Sequence, residues 1–87
     1  MSYKIRIVKR AFKELSSLPQ KVTGQIAQAI DDLKEDPRPH GCKKLKGESE
    51  YLWRIRVGDY RIIYFIEDTI QIVEIRRVGH RRDIYDQ

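Results

Sequence analysis

From Trp53 to Ile62, apolar and charged residues alternate on both sides of a single break at Gly58-Asp59. A two-residue loop of this type between alternating runs predicts a β-hairpin over Leu52 to Phe65. It sets Val57 opposite Tyr60 and Arg56 opposite Arg61. The side-chain period of two then gathers Trp53, Ile55, Val57, Tyr60, Ile62 and Tyr64 on one face. Arg54, Arg56 and Arg61 share the other. A chain patterned this way folds around an antiparallel sheet with one apolar face. Like charges placed directly opposite destabilise a sheet. The arginine face is therefore expected to hold an anion, and phosphate fits a guanidinium fork best.

The flanking segments supply what covers the apolar face. Residues 3–8 alternate and predict a short strand. Residues 9–17 predict a short helix with Phe12 and Leu15 on one side. Pro19 suits the first turn of a second helix, which runs to about residue 35. Its Val22, Ile26, Ile30 and Leu33 follow the rhythm of a buried stripe. Asp36-Pro37-Arg38-Pro39 ends it, because proline breaks the helical ladder and restricts the residue before it. Residues 40–50 are expected to form a lysine-rich loop. Strands follow at about 51–57, 60–67 and 70–78, with Asp68-Thr69 as the second turn. If that turn also holds two residues, Ile72, Glu74 and Arg76 join Arg61, Ile63 and Phe65. Val73 and Ile75 then join the Trp53 and Ile62 face. The expected fold is α+β: one small domain over 1–87, strand-helix-helix followed by a three-strand antiparallel meander. Both helices pack on one sheet face, leaving the arginine face open. A bulge would shift this register.

Composition narrows the function. Eighty-seven residues make one modest core. A net charge of +5 favours an anionic partner, nucleic acid or an acidic protein. No long apolar run crosses a membrane, and no signal peptide is expected, since Lys4, Arg6, Lys9 and Arg10 interrupt every early apolar stretch. Cys42 is alone, so no internal disulfide forms, and a cytoplasmic setting fits. Lys43 and Lys44 beside it are expected to lower its pKa, but no base accompanies it and it reads as incidental.

Lys44, Lys46, Arg54, Arg56, Arg61, Arg76, Arg77, Arg81 and Arg82 form the basic inventory. His80 and Tyr85 lie beside Arg81 on the terminal segment. Histidine is the side chain most easily poised for proton transfer near neutral pH, and a tyrosine can stack on a base. By spacing alone, a surface histidine and a core-anchored aromatic fit equally well. His40, between Pro39 and Gly41, reads as a loop residue. No metal-ligand spacing, phosphate loop, dinucleotide fingerprint or serine-nucleophile motif occurs.

These residues carry a resemblance. Lys44-Leu45-Lys46-Gly47, the hairpin Gly58-Asp59-Tyr60-Arg61-Ile62-Ile63-Tyr64 and the closing Val78-Gly79-His80-Arg81-Arg82-Asp83-Ile84-Tyr85 are similar to the RelE/ParE superfamily of toxins. The likeness spans nearly the whole chain, and the terminal segment looks most like the RelE branch. The resemblance implies a fold like that of small microbial ribonucleases. It implies the toxin of a type II toxin–antitoxin system, a metal-independent endoribonuclease that cuts messenger RNA in the ribosomal A site and stops translation. The RNA's own 2′-hydroxyl attacks the adjacent phosphate. No cofactor is implied. The implied partners are a cognate RelB-like antitoxin, the ribosome and its message, with operator DNA bound only through the antitoxin complex.

Roles transfer residue by residue. Arg61 matches a phosphate-binding arginine, and Arg81 a leaving-group acid or phosphate clamp. Tyr85 matches a tyrosine that stacks on a message base, and Lys46 a basic residue near ribosomal RNA or the scissile site. Lys44, Arg76 and Arg82 join Lys46 as RNA-binding candidates. RelE carries lysines where Arg54 and Arg56 stand. Arginine does not give up its proton near neutral pH, so Arg54 and Arg56 become electrostatic stabilisers. His80 becomes the leading proton-transfer candidate and Glu74 the second. Two other readings stand beside this one: a ParE-like inhibitor of DNA gyrase, and a catalytically weak relative that only binds its antitoxin.

Overall fold

A computed structural model describes residues 2–84. The elements run β1 (Lys4–Ile7), α1 (Lys9–Ser16), α2 (Gln20–Asp32), β2 (Lys43–Lys46), β3 (Tyr51–Val57), β4 (Tyr60–Glu67) and β5 (Ile72–His80). One five-stranded sheet forms in the order β1-β5-β4-β3-β2. The expected α+β class and helix-covered sheet are present, with the meander β3-β4-β5 at the centre. Two strands extend it: β1 runs parallel to β5 and β2 antiparallel to β3. The loop expected over 40–50 thus contains an edge strand. Its sequence, Lys-Lys-Leu-Lys, has a single apolar residue, too short an alternation to read without its neighbour.

The hairpin forms as its pattern requires. Val57 pairs with Tyr60 and Arg56 with Arg61. Gly58 takes a positive φ of 59°, which the first central residue of a tight hairpin turn demands. Ile55, Ile62 and Tyr64 are buried in the main core, with Trp53, Val57 and Tyr60 packed against it. From α2, Ile26, Ile30 and Leu33 close over them. On α1 the stripe differs from expectation. Ala11 is the buried residue, and Phe12 is 59% exposed. The Tyr64 hydroxyl donates to the Pro37 carbonyl (2.8 Å), tying the loop after α2 to the central strand. Burial pushes that phenol well above its ordinary pKa.

The second turn is longer than two residues. Glu67 pairs with Ile72, leaving a four-residue loop over 68–71. Asp68 is held there by the Arg38 fork (2.8 and 3.2 Å) and by the Tyr3 hydroxyl (2.7 Å). The shift is an even number of residues, so Val73 and Ile75 still face the core. Then the register slips. Tyr64 pairs with Ile75 but Ile63 pairs with Arg77, which makes Arg76 the extra residue of a β-bulge. Gly79, not Arg76, therefore stands across from Arg61.

Beyond Ile75, β1 no longer covers the edge of β5. Glu14 of α1 takes its place. Its carboxylate accepts the Val78 N–H (2.9 Å) and pairs with the Arg77 guanidinium (2.8 Å). Among the described residues no helix is long and apolar enough to cross a membrane. Glu14→Ala should strand a ladder donor and a partly buried guanidinium, costing about 1.5–3 kcal/mol. Glu14→Gln, which keeps an acceptor, should cost less. Urea unfolding of the three proteins checks the order.

Candidate functional site

The two central residues of the hairpin turn, and the strand ends beside them, frame a small cleft. Arg56, Gly58, Asp59, Tyr60, Arg61 and Arg81 line about 100 Å³. Arg56 and Arg61 arrive from facing positions of β3 and β4. Arg81 arrives from beyond β5, pinned by its own N–H donating to the Asp59 carbonyl (2.8 Å). Its side chain is 65% exposed and stands 3.8 Å from the Asp59 carboxylate. Three arginines from three chain segments thus line one opening. They can grip phosphate oxygens and stabilise added negative charge; they supply no proton acceptor.

The arginine face is not open along its length. Ile84 folds back onto it and, with Leu45 and Ile63, forms a second small core that Leu52 flanks. Arg61 donates from Nη1 to the Ile84 carbonyl (3.3 Å). Arg54 is only 5% exposed and does not line the cleft. Of the expected Arg54, Arg56, Arg61 and Arg81, the last three line the cleft and Arg54 does not. Gly79 permits this fold-back, since a Cβ there would lie 2.9 Å from Ile84 Cδ1.

His80 lands on the other side. It pairs with Tyr60, their rings edge-to-face at 5.3 Å, and lines a cavity with Lys13, Ser17 and Pro19 of the helical layer. Its Nδ1 accepts the Arg82 N–H (3.2 Å), and its carbonyl accepts from Asp83 and Ile84. The turn that carries Arg81 is built on His80. Arg82 lines the His80 cavity rather than the arginine cleft. Tyr85 lies outside the described residues.

The remaining candidates are dispersed. Lys44 and Lys46 pair with Trp53 and Tyr51, on the helix-facing side of the sheet rather than beside Arg54. The Lys44 ammonium sits over the Tyr51 ring (4.1 Å). Lys43 is the lysine across from Arg54, a position legible only once β2 is known to be a strand. Arg76 is taken up by Glu74 and Glu50 and lies over the Phe65 ring. Its expected closeness to Arg61 is lost to the bulge. Burial of Glu74 acts to raise its pKa, but Arg76 and then Arg6 prevail and hold the carboxyl below its ordinary value. It stays ionised and engaged, a poor base. Cys42 also departs from expectation, since burial and then Asp36 push its thiol up. No group of side chains among the described residues is suited to a metal ion.

Comparison with known proteins identifies the family. Residues 5–85 match the family described as "ParE toxin of type II toxin-antitoxin system, parDE". The chain is 36% identical to Toxin RelG of Mycobacterium tuberculosis over 86 residues, 98% of each chain. It is 29% identical over 90 residues to the mRNA interferase toxin RelE of Escherichia coli, covering 100% of this chain and 94% of that one. Among solved structures it is similar to the archaeal RelE-RelB complex from Pyrococcus horikoshii. There the TM-score is 0.81 at 32% identity, with 93% of this chain and 97% of the other covered.

Gly79→Val should force Ile84 off Leu45 and Ile63, because the added carbon has no room. Overpacking of this kind costs about 1–3 kcal/mol. The main core lies on the other face, so near-ultraviolet dichroism of Trp53 and Tyr64 should survive. Amide exchange at 81–84 should rise sharply.

Proposed function

Because this chain belongs to the RelE/ParE family of type II toxin–antitoxin toxins, we propose that it cleaves messenger RNA in the ribosomal A site and thereby halts translation. The observation that carries this reading is the convergence of Arg56, Arg61 and Arg81 on a phosphate-sized cleft at the hairpin tip. The substrate's 2′-hydroxyl gives up its proton to water as its oxygen bonds to the adjacent phosphorus, and the 5′-oxygen takes up a proton from water as its bond to phosphorus breaks. A 2′,3′-cyclic phosphate and a 5′-hydroxyl result. Charge grows on the non-bridging oxygens as the phosphorane forms. Preorganised guanidiniums meet that charge without reorganising, which is the largest contribution a site of this composition can make.

Roles follow from position. Arg56 and Arg61 bind the phosphate from the sheet. Arg81 closes the cleft, held to the turn by Asp59. Arg54 is buried and lies outside the cleft. The His80 Nδ1 accepts the Arg82 N–H, so the side chain shapes the 81–84 turn that carries Arg81. Tyr85 is assigned stacking on a message base on the strength of the family resemblance alone.

The partner reading has the same footing. The Pyrococcus relative was solved as a RelE-RelB complex, and a RelB-like antitoxin is proposed here. An acidic segment suits a chain of net charge +5. The ribosome places the working toxin in the cytoplasm.

Arg61→Ala should lose roughly 100- to 1000-fold in the rate of message cleavage on programmed ribosomes. Its melting temperature should stay close to native, because the side chain lies off the main core. Arg61→Lys should recover only part, since an ammonium lacks the bidentate fork. Full cleavage by folded Arg61→Ala would remove the cleft from the mechanism.

Expression without an antitoxin should stop incorporation of labelled amino acid before labelled thymidine. The family model is named for ParE, so the reverse order would favour the gyrase-directed reading.

A further inference from the structure

A larger cavity adjoins the cleft. It measures about 530 Å³, within the roughly 300–1,000 Å³ usual for small-molecule sites. Ala29, Leu33 and Ile55 supply an apolar lining; Asp32, Asp36 and His40 supply the polar one. Arg56 lines both this cavity and the arginine cleft. Val57 of the cavity is chain neighbour to Gly58 of the cleft. The cavity opens on the helix-covered side of the sheet and the cleft on the arginine side, and Arg56 at the end of β3 is common to both. The edge of β3 is accessible there, because β2 pairs only with Tyr51 to Arg54.

We propose that this cavity is a nucleobase subsite beside the scissile phosphate, and that it selects bases carrying an exocyclic amine over uracil. The inference rests on the cleavage reading above. An apolar lining suits the face of a base. Two carboxylates repel phosphate, so a backbone group is not the occupant. They accept hydrogen bonds, and adenine, cytosine and guanine each present an exocyclic amine. Uracil presents none.

The carboxylates are held in place. Asp36 Oδ1 accepts the Arg38 N–H (3.2 Å), and Asp32 Oδ1 accepts from the Gln28 amide (2.8 Å). Orientation set before binding limits the entropy lost on recognition. A nucleotide whose phosphate rests on Arg56 then has its base at the mouth of the cavity. Selection at this position comes from Asp32 and Asp36, separately from the grip on phosphate.

The test is single-turnover cleavage on ribosomes programmed with messages that vary one nucleotide on either side of the cut. At one flanking position the native protein should cut uracil at least about tenfold more slowly than the best amine-bearing base. In Asp32→Asn/Asp36→Asn the ratio of those two rates should move toward one. An unchanged ratio in that variant, or no base dependence in the native protein, overturns the subsite.

A second measurement does not depend on cleavage. Nucleoside 3′-monophosphates are titrated into the isotopically labelled full chain. All four should shift the amides of Gly58 to Arg61. Only those of adenosine, cytidine and guanosine should also shift His40 and Ile55. Equal shifts with uridine, or none in the cavity, overturn the proposal. A native protein that cuts no message but shows the amine-dependent shifts would overturn the cleavage reading and leave the subsite supported.

Discussion

The site depends on a change of phase in β5. Val73 and Ile75 enter the core two residues apart, but the next apolar residue is Val78, three further on. A strand of unbroken period two would send Arg77 and Gly79 inward instead. Burying a guanidinium without a partner is far costlier than one irregular ladder position. The strand therefore bulges at Arg76, between the partners of Ile63 and Tyr64. Everything at the hairpin tip follows from that extra residue. Gly79 comes to stand across from Arg61, Ile84 can fold over it, and Arg81 reaches the Asp59 carbonyl. The bulge also leaves Val78 with its N–H at an edge that β1 does not reach, where Glu14 accepts it.

The distribution of acids explains why the cleft stays positive. Glu74 holds Arg6 and Arg76, Glu50 holds Arg76, Glu14 holds Arg77, and Asp68 holds Arg38. Each such pair near the surface contributes little stability by itself. Together they neutralise Arg6, Arg38, Arg76 and Arg77, all outside the cleft, and set them in fixed places. Within it, Asp59 is the one acid among the described residues that lines the opening, at 3.8 Å from Arg81. Facing guanidiniums at Arg56 and Arg61 cost the empty sheet some stability. An anion bound between them would offset that cost.

Local periodicity settled much of this protein before any tertiary contact was considered. The Gly58-Asp59 break determined the hairpin, the Arg56–Arg61 pair and the identity of the apolar face, because a two-residue turn permits one register. The stripe Ile26, Ile30 and Leu33 determined which side of α2 is buried. Both results rest on interactions within a few residues of one another, where the backbone period alone dictates direction. The family likeness in the hairpin and terminal segment was legible for the same reason.

Only the folded chain decided which charges meet. The pairing of β2 with β3 put Lys43, rather than Lys44 or Lys46, across from Arg54, since one residue of register exchanges the two faces of a strand. The bulge separated Arg76 from Arg61. Ile84 returned onto Leu45 and Ile63, Arg81 came to the Asp59 carbonyl, and His80, a single residue away, was carried to the helix side. These placements join segments far apart in the chain, and no local pattern encodes a contact whose partner is chosen by packing. The sequence by itself determined a hairpin with an arginine face; the tertiary structure decided that Arg56, Arg61 and Arg81 line one cleft, because the core would accept Val78 and not Arg77.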